Sequence, residues 1–251
     1  KLGAGALVKA GTLTMSTNAT LPPMQYVNSS GKIVGMRITL GDEIAKQLCL
    51  TPNYVNVDFD SQIPGLAGKR WDMINTGMFY TPVRAKTIIL VPYEVQGVAI
   101  SAAAGNPEKL HSATDLAGKT VVVEAPGYEY DTLTALSKKL VSEGKRAITI
   151  HTFQTTADAY QALAAGQADA VAIVDSVTTY YQNAGRFETA FKGLNTAPLA
   201  FGFANQTTAN AVSGVLNQLR DNGYLAKLFG QYGVTAYSGL LKVSTGDLSV
   251  Q

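Results

Sequence analysis

The sequence is poor in the residues that anchor metals and disulfides. A single cysteine, Cys49, excludes an internal disulfide, and its place in a helix-like run predicts a small buried hydrophobe. The two histidines, His111 and His151, lie far apart with no cysteine near either, so a zinc site is not expected. No Gly-x-Gly-x-x-Gly, P-loop or Gly-x-Ser-x-Gly occurs, and Cys49 has no His or Asn signal beside it for nucleophilic chemistry. No apolar run is long enough to cross a membrane. Charge of one sign is also lacking. A net of +2 over 251 residues gives no argument for nucleic acid or an acidic lipid surface.

What is present is an alternation of two periods. Residues 12–17 alternate as a strand and run into a loop fixed by Pro22 and Pro23. Residues 27–34 form a turn between two extended pieces. A helix is predicted from Gly41 to Leu48, with Ile44, Ala45 and Leu48 on one face and acids in its first turn. A strand over 54–59 follows, then a short helix through Leu66 capped by Asp60. The apolar run 88–104 has the composition of a crossing between domains. A short helix at 114–116 precedes the strand 120–123, whose unbroken apolar run suits a buried parallel strand. Ala125-Pro-Gly-Tyr is a tight turn. Asp131 caps a helix that carries Leu133, Leu136 and Leu140 on one stripe. Residues 147–151 are a strand, 156–165 a helix ended by Gly166, and 169–174 an apolar strand. Asp175 starts the next helix. The extended run 198–204 is a second candidate crossing, and helices over 208–222 and 224–232 end the pattern.

Strands alternating with helices indicate an α/β fold with mainly parallel sheets. Such folds bind ligands at the carboxyl ends of their strands. Four loops qualify: 18–24, 76–84, 125–128 and 174–176. In the second of these, Thr81-Pro82 is a helix entry and places Arg84 in the first turn, where the helix dipole disfavours a cation. An arginine placed there suggests a separate task, the gripping of a carboxylate by its planar fork; the alternative is an ordinary surface arginine.

The order of blocks resembles the polar amino-acid-binding branch of the periplasmic solute-binding proteins of ABC importers. The blocks are Gly11-Thr-Leu-Thr-Met-Ser-Thr-Asn-Ala-Thr-Leu-Pro-Pro-Met with Gly31-Lys-Ile-Val-Gly-Met, then Val57-Asp-Phe-Asp-Ser-Gln-Ile-Pro-Gly-Leu and Thr76-Gly-Met-Phe-Tyr-Thr-Pro-Val-Arg-Ala-Lys. They continue with Leu116-Ala-Gly-Lys-Thr-Val-Val-Val-Glu-Ala, Ala165-Gly-Gln-Ala-Asp-Ala-Val and Leu219-Arg-Asp-Asn-Gly-Tyr-Leu-Ala-Lys-Leu. The resemblance implies a two-lobe, type II periplasmic-binding fold with two hinge strands. Lobe one would be 1–94 plus 198–251, and lobe two 95–197, with ligand closing the lobes around a cleft. It further implies that Arg84 grips the ligand α-carboxylate, that Gly77 and Phe79 line the cleft beside Thr76 and Met78, and that Gly127 and Tyr128 offer backbone N–H groups. Phe59 matches an aromatic against the ligand body, or is a core residue under the helix.

Several positions depart from the family pattern. Phe79 stands where Ser or Thr is usual, Leu21 where an aromatic lid is usual, and Asn18 where aspartate is common. The position expected for the ammonium-binding aspartate is Val174, and the nearest carboxylate is Asp175, either a helix cap or a ligand contact. Met24, Phe59, Met78, Phe79 and Tyr128 would suit a larger or partly apolar carboxylate, such as an amino-acid conjugate.

The function implied is capture of a small carboxylate-bearing solute for delivery to membrane permease subunits. The protein would be a periplasmic monomer in its processed form, with no cofactor, metal or nucleic acid. Two alternatives stay open: a cyclohexadienyl-dehydratase-like enzyme using Glu124 or Glu129 as acid or base, and the sensing module of a receptor.

Overall fold

A computed structural model of the chain describes residue 2 and residues 5–124 and 127–239. The chain divides into two compact units, Lys1–Val95 with Ala197–Gln251, and Gln96–Thr196.

Unit one begins with β1 (Thr12–Thr17), followed by β2 (Thr20–Leu21), β3 (Gln25–Val27) and β4 (Ile33–Val34). These last three form a small antiparallel sheet turned by Asn28, whose side chain accepts the amides of Ser30 and Lys32. The chain continues through α1 (Met36–Gln47), β5 (Thr51–Asn56), a 3-10 turn at Phe59–Ser61, α2 (Gln62–Ala67), β6 (Met73–Ile74) and α3 (Pro82–Ala85). The long β7 (Ile89–Ala103) then carries it into unit two.

In unit two a 3-10 turn at Ala113–Leu116 carries a reciprocal cap between Ser112 and Asp115. There follow β8 (Thr120–Glu124), α4 (Tyr128–Ser142), β9 (Thr149–Phe153), α5 (Thr156–Ala164), β10 (Ala170–Val174) and α6 (Asp175–Asn183). The strand β11 (Phe187–Phe203) returns the chain to unit one, which closes with α7 (Gln206–Asp221), α8 (Tyr224–Tyr232) and β12 (Thr235–Ala236).

Both units are parallel sheets with antiparallel additions. In unit one β1 pairs in parallel with β5 and β6, and the end of β11 lies antiparallel on β6. In unit two β8 pairs in parallel with β9 and β10, and β10 runs antiparallel to the second half of β7. The parallel strands β8 and β10 are apolar because helices cover them. Val121, Val123, Ala170 and Ala172 pack with Leu133 and Leu140 of α4. In unit one Val212, Val215, Leu216 and Leu219 are the buried stripe of α7, while Tyr93 stacks flat on Phe201 with ring centroids 4.0 Å apart.

Six local expectations are corrected. The first helix starts at Met36 rather than Gly41, so its acids fall outside the first turn. Burial of Met36, Ile38 and Leu40 outweighs the modest propensity of Thr39 and Gly41. Cys49 is exposed with φ 57°, because the helix has already ended and the chain turns outward. Asp60 sits inside the 3-10 turn and Asp131 inside the first turn of α4, so neither is a cap. Asp175 is the first residue of α6, whose cap position is Val174. Arg84 lies in a helix of four residues, where first and last turn coincide and no dipole has developed to oppose it.

Candidate functional site

The stretch between β6 and β7 is fixed from both sides. Its start is held by Asn75, whose amide donates to the Ser16 carbonyl (2.8 Å) and whose side-chain amide donates to the Arg37 carbonyl (2.9 Å). Its middle is stitched to β11: Tyr80 N–H donates to Pro198 O (2.7 Å), and Ala200 N–H donates to Met78 O (2.9 Å). Thr81 then caps α3 by accepting the Arg84 amide (3.2 Å), with Pro82 at the first helical position.

This entry turns the Arg84 side chain back over its own loop. Its Nη1 donates to the Phe79 carbonyl (2.7 Å), and its guanidinium carbon lies 5.2 Å from the centre of the Phe59 ring. Arg84 is half-buried. An aromatic face and a carbonyl fix the plane of the fork, and a guanidinium so held is suited to bidentate binding of a carboxylate.

The other unit-one candidates are placed as follows. Thr76 is buried, and its hydroxyl accepts from Gln25 Nε2 (3.1 Å). Gly77 is half-buried against the Arg37 guanidinium; a Cβ there would lie 3.0 Å from Nη1. Met78 belongs to the apolar core with Leu66, Trp71, Ile74 and Tyr80, and Phe59 packs on the edge of that cluster. Met24 and Phe79 are also buried, so the expected apolar pocket wall is largely core. Phe79 contributes its carbonyl to Arg84. Asn18 is buried and accepts from the Thr20 hydroxyl (2.9 Å). Leu21 is buried as well.

In unit two, Gly127 is the cap position and Tyr128 the first residue of α4; Ala125 and Pro126 of the expected turn lie outside the described residues. No side chain caps this 15-residue helix, and Glu129 and Asp131 complement its dipole. The Tyr128 hydroxyl donates to the Asn195 carbonyl (2.7 Å), and burial, with Glu129 nearby, pushes the phenol up to about 12. Glu124 accepts the Thr156 hydroxyl (2.6 Å) at the end of β8.

Asp175 does something neither sequence expectation included. One carboxylate oxygen accepts the Gly97 amide (3.0 Å) and the other the Gly193 amide (3.2 Å). It therefore ties β7 to β11 just inside unit two. The neighbouring Ser176 amide donates to Gln96 (2.9 Å). No local signal could show this, because both partners are backbone groups distant in sequence.

Sequence reasoning also missed Arg37. It is fully buried and paired with an equally buried Glu94. Burial opposes its charge, but Glu94 and Tyr93 more than offset this and raise its pKa. A cleft of about 410 Å3 in unit one, lined by Val8, Leu66, Lys69, Trp71, Asp72 and Asn205 among others, contains none of the expected site residues.

Two α/β units linked by two long strands, with a buttressed arginine after a parallel strand, define a solute-binding protein of the two-lobe class. The profile of the bacterial extracellular solute-binding proteins, family 3, matches residues 13–235, and the chain belongs to that family. It is 25% identical over 233 residues to the probable ABC transporter arginine-binding protein ArtJ of Chlamydia trachomatis, covering 88% of this chain and 85% of the relative. It is 28% identical over 228 residues to the L-cystine-binding protein TcyJ of Bacillus subtilis, covering 88% and 83%. Among solved structures, an ancestral amino acid-binding protein, AncCDT-1, described as a precursor of cyclohexadienyl dehydratase, superposes with a TM-score of 0.78. Its identity is 26%, and the match covers 88% of this chain and 95% of that one. Among the described residues no helix is long and apolar enough to cross a membrane.

Proposed function

We propose that this chain is the periplasmic receptor of an ABC importer and captures an amino acid, or an amino-acid derivative, by its α-carboxylate. The observation that carries this reading is Arg84, held by the Phe79 carbonyl and the Phe59 ring at the end of a loop fixed to β1 and β11. The relatives' names, arginine-binding and L-cystine-binding, support an α-amino acid as the ligand class. The burial of Met24, Met78 and Phe79 argues against an enlarged apolar pocket in unit one and favours a simple amino acid over a bulky conjugate. The two compact units are the lobes of the receptor, which acts as a monomer and passes its ligand to membrane permease subunits.

The same reading assigns no catalysis. Glu124, one of the two candidate acids or bases, is hydrogen-bonded to Thr156 at the start of α5, which steadies a carboxylate rather than readying it for proton transfer. Native mass spectrometry of protein purified without refolding tests the proposal. The expected result is a retained amino acid, unchanged after incubation. Conversion of that ligand into a product would favour the enzymatic alternative, and a retained ligand without a carboxylate would contradict the assignment.

A further inference from the structure

We propose that Arg37 is a positioning residue: with Gln25 and Glu94 it sets, from inside unit one, the place of the Asn75–Gly77 backbone and hence the affinity of the loop that carries Arg84. This inference rests on the reading of that loop as the carboxylate site.

Arg37 sits on α1 among the buried apolar residues Met36, Ile38 and Leu40 and has no exposed surface. Its orientation is fixed on one side by β7. Nε donates to the Tyr93 hydroxyl (2.8 Å) and to Glu94 (3.0 Å), and Nη2 donates to the same Glu94 carboxylate. On the other side the residue reaches three successive loop positions. Its carbonyl accepts from Asn75 Nδ2 (2.9 Å). Its Nη1 donates to Gln25 Oε1 (2.7 Å), and Gln25 Nε2 donates onward to the Thr76 hydroxyl (3.1 Å). Arginine only donates, so the Gln25 oxygen must face it and the Gln25 nitrogen must face Thr76; the relay has one direction. Finally, the guanidinium packs so closely on Gly77 that a Cβ there would crowd it at 3.0 Å.

A buried ion pair kept only for stability would need none of these loop contacts. Buried pairs are replaceable by apolar residues of similar volume, often without loss of fold. The positioning role thus separates from the structural one: it lowers affinity in protein that remains folded.

The test uses two variants and one reference. Gln25→Leu cuts the relay and leaves the Arg37–Glu94 pair in place. Arg37→Met with Glu94→Leu removes the pair as a unit. Arg84→Ala is the reference. Each is titrated calorimetrically with the L-amino acid that binds wild type most tightly in a panel including L-arginine and L-cystine, well below its melting temperature. The Gly77 amide is followed by NMR. The expected result is about a tenfold loss of affinity for Gln25→Leu, at least as large a loss for the double variant, and a displaced Gly77 amide resonance in both. If the double variant does not fold, Gln25→Leu decides. Affinity within threefold of wild type in folded Gln25→Leu, with binding lost in Arg84→Ala, overturns the positioning role and leaves the carboxylate reading intact. Undiminished binding in Arg84→Ala, or no amino acid bound by wild type, overturns both.

Discussion

At the scale of single residues, the arginine and aspartate singled out from the sequence have different standing. Arg84 is oriented by the Phe79 carbonyl and the Phe59 ring, which set the plane of its fork. Removing one partner of a desolvated charge pair costs about 2–5 kcal/mol, because the other is left buried and unpaired. Arg84→Ala is expected to lose that much binding free energy by calorimetry while keeping its fold, since the Thr81 cap uses only the Arg84 amide. Asp175 spends its carboxylate on two backbone amides. In Asp175→Asn one oxygen can still accept, but the side-chain nitrogen cannot accept the second amide. Hydrogen bonds to charged groups contribute about 1.5–3 kcal/mol, so the melting temperature is expected to fall, with ligand affinity within about threefold. A hundredfold loss of affinity at unchanged melting temperature would instead make Asp175 a ligand contact.

At the scale of elements, β7 and β11 come close together at Gly97 and Gly193. A Cβ at Gly97 would lie 2.7 Å from Gly193 Cα and 3.1 Å from the Asp175 carboxylate. Gly97→Ala is therefore expected to destabilise by about 1–3 kcal/mol in chemical denaturation, the usual cost of overpacking; an unchanged midpoint would show that the strands separate easily. On α4, Tyr128 supplies a pH readout. Its folded pKa of about 12 exceeds the ordinary 10, so its contribution to stability is whole below pH 10 and is lost as pH rises toward 12. An ultraviolet titration of Tyr128→Phe is expected to lack one late-ionising phenol relative to wild type. The alternation of elements was legible because apolar strands and amphipathic helices carry their periods in the sequence. Thr81-Pro82 was legible because cap chemistry is local. Arg37, by contrast, looks like any helix-surface arginine, and its burial follows from Glu94 on a strand 57 residues away. The helix starts at Met36 and Tyr128 were misplaced because acidic residues served as the markers: Asp42 and Glu43 suggested a first turn, and Asp131 a cap, where the folded chain has already entered the helix.

At the scale of the whole molecule, the chain forms two units joined by two strands. A ligand that prefers one arrangement of the units shifts the population toward it. Solution scattering with saturating amino acid is expected to show a smaller radius of gyration than the ligand-free protein. No change, with binding confirmed separately, would oppose a two-lobe clamp. The central claim is narrower: recognition runs through the ligand α-carboxylate. It is tested most directly by calorimetric titration of wild type with the preferred amino acid and with its decarboxylated amine, L-arginine against agmatine if arginine is preferred. The expected result is tight binding of the amino acid and at least a hundredfold weaker binding of the amine, a difference of about 2.7 kcal/mol or more. Equal affinity for the two would contradict the assignment of Arg84 and the function built on it.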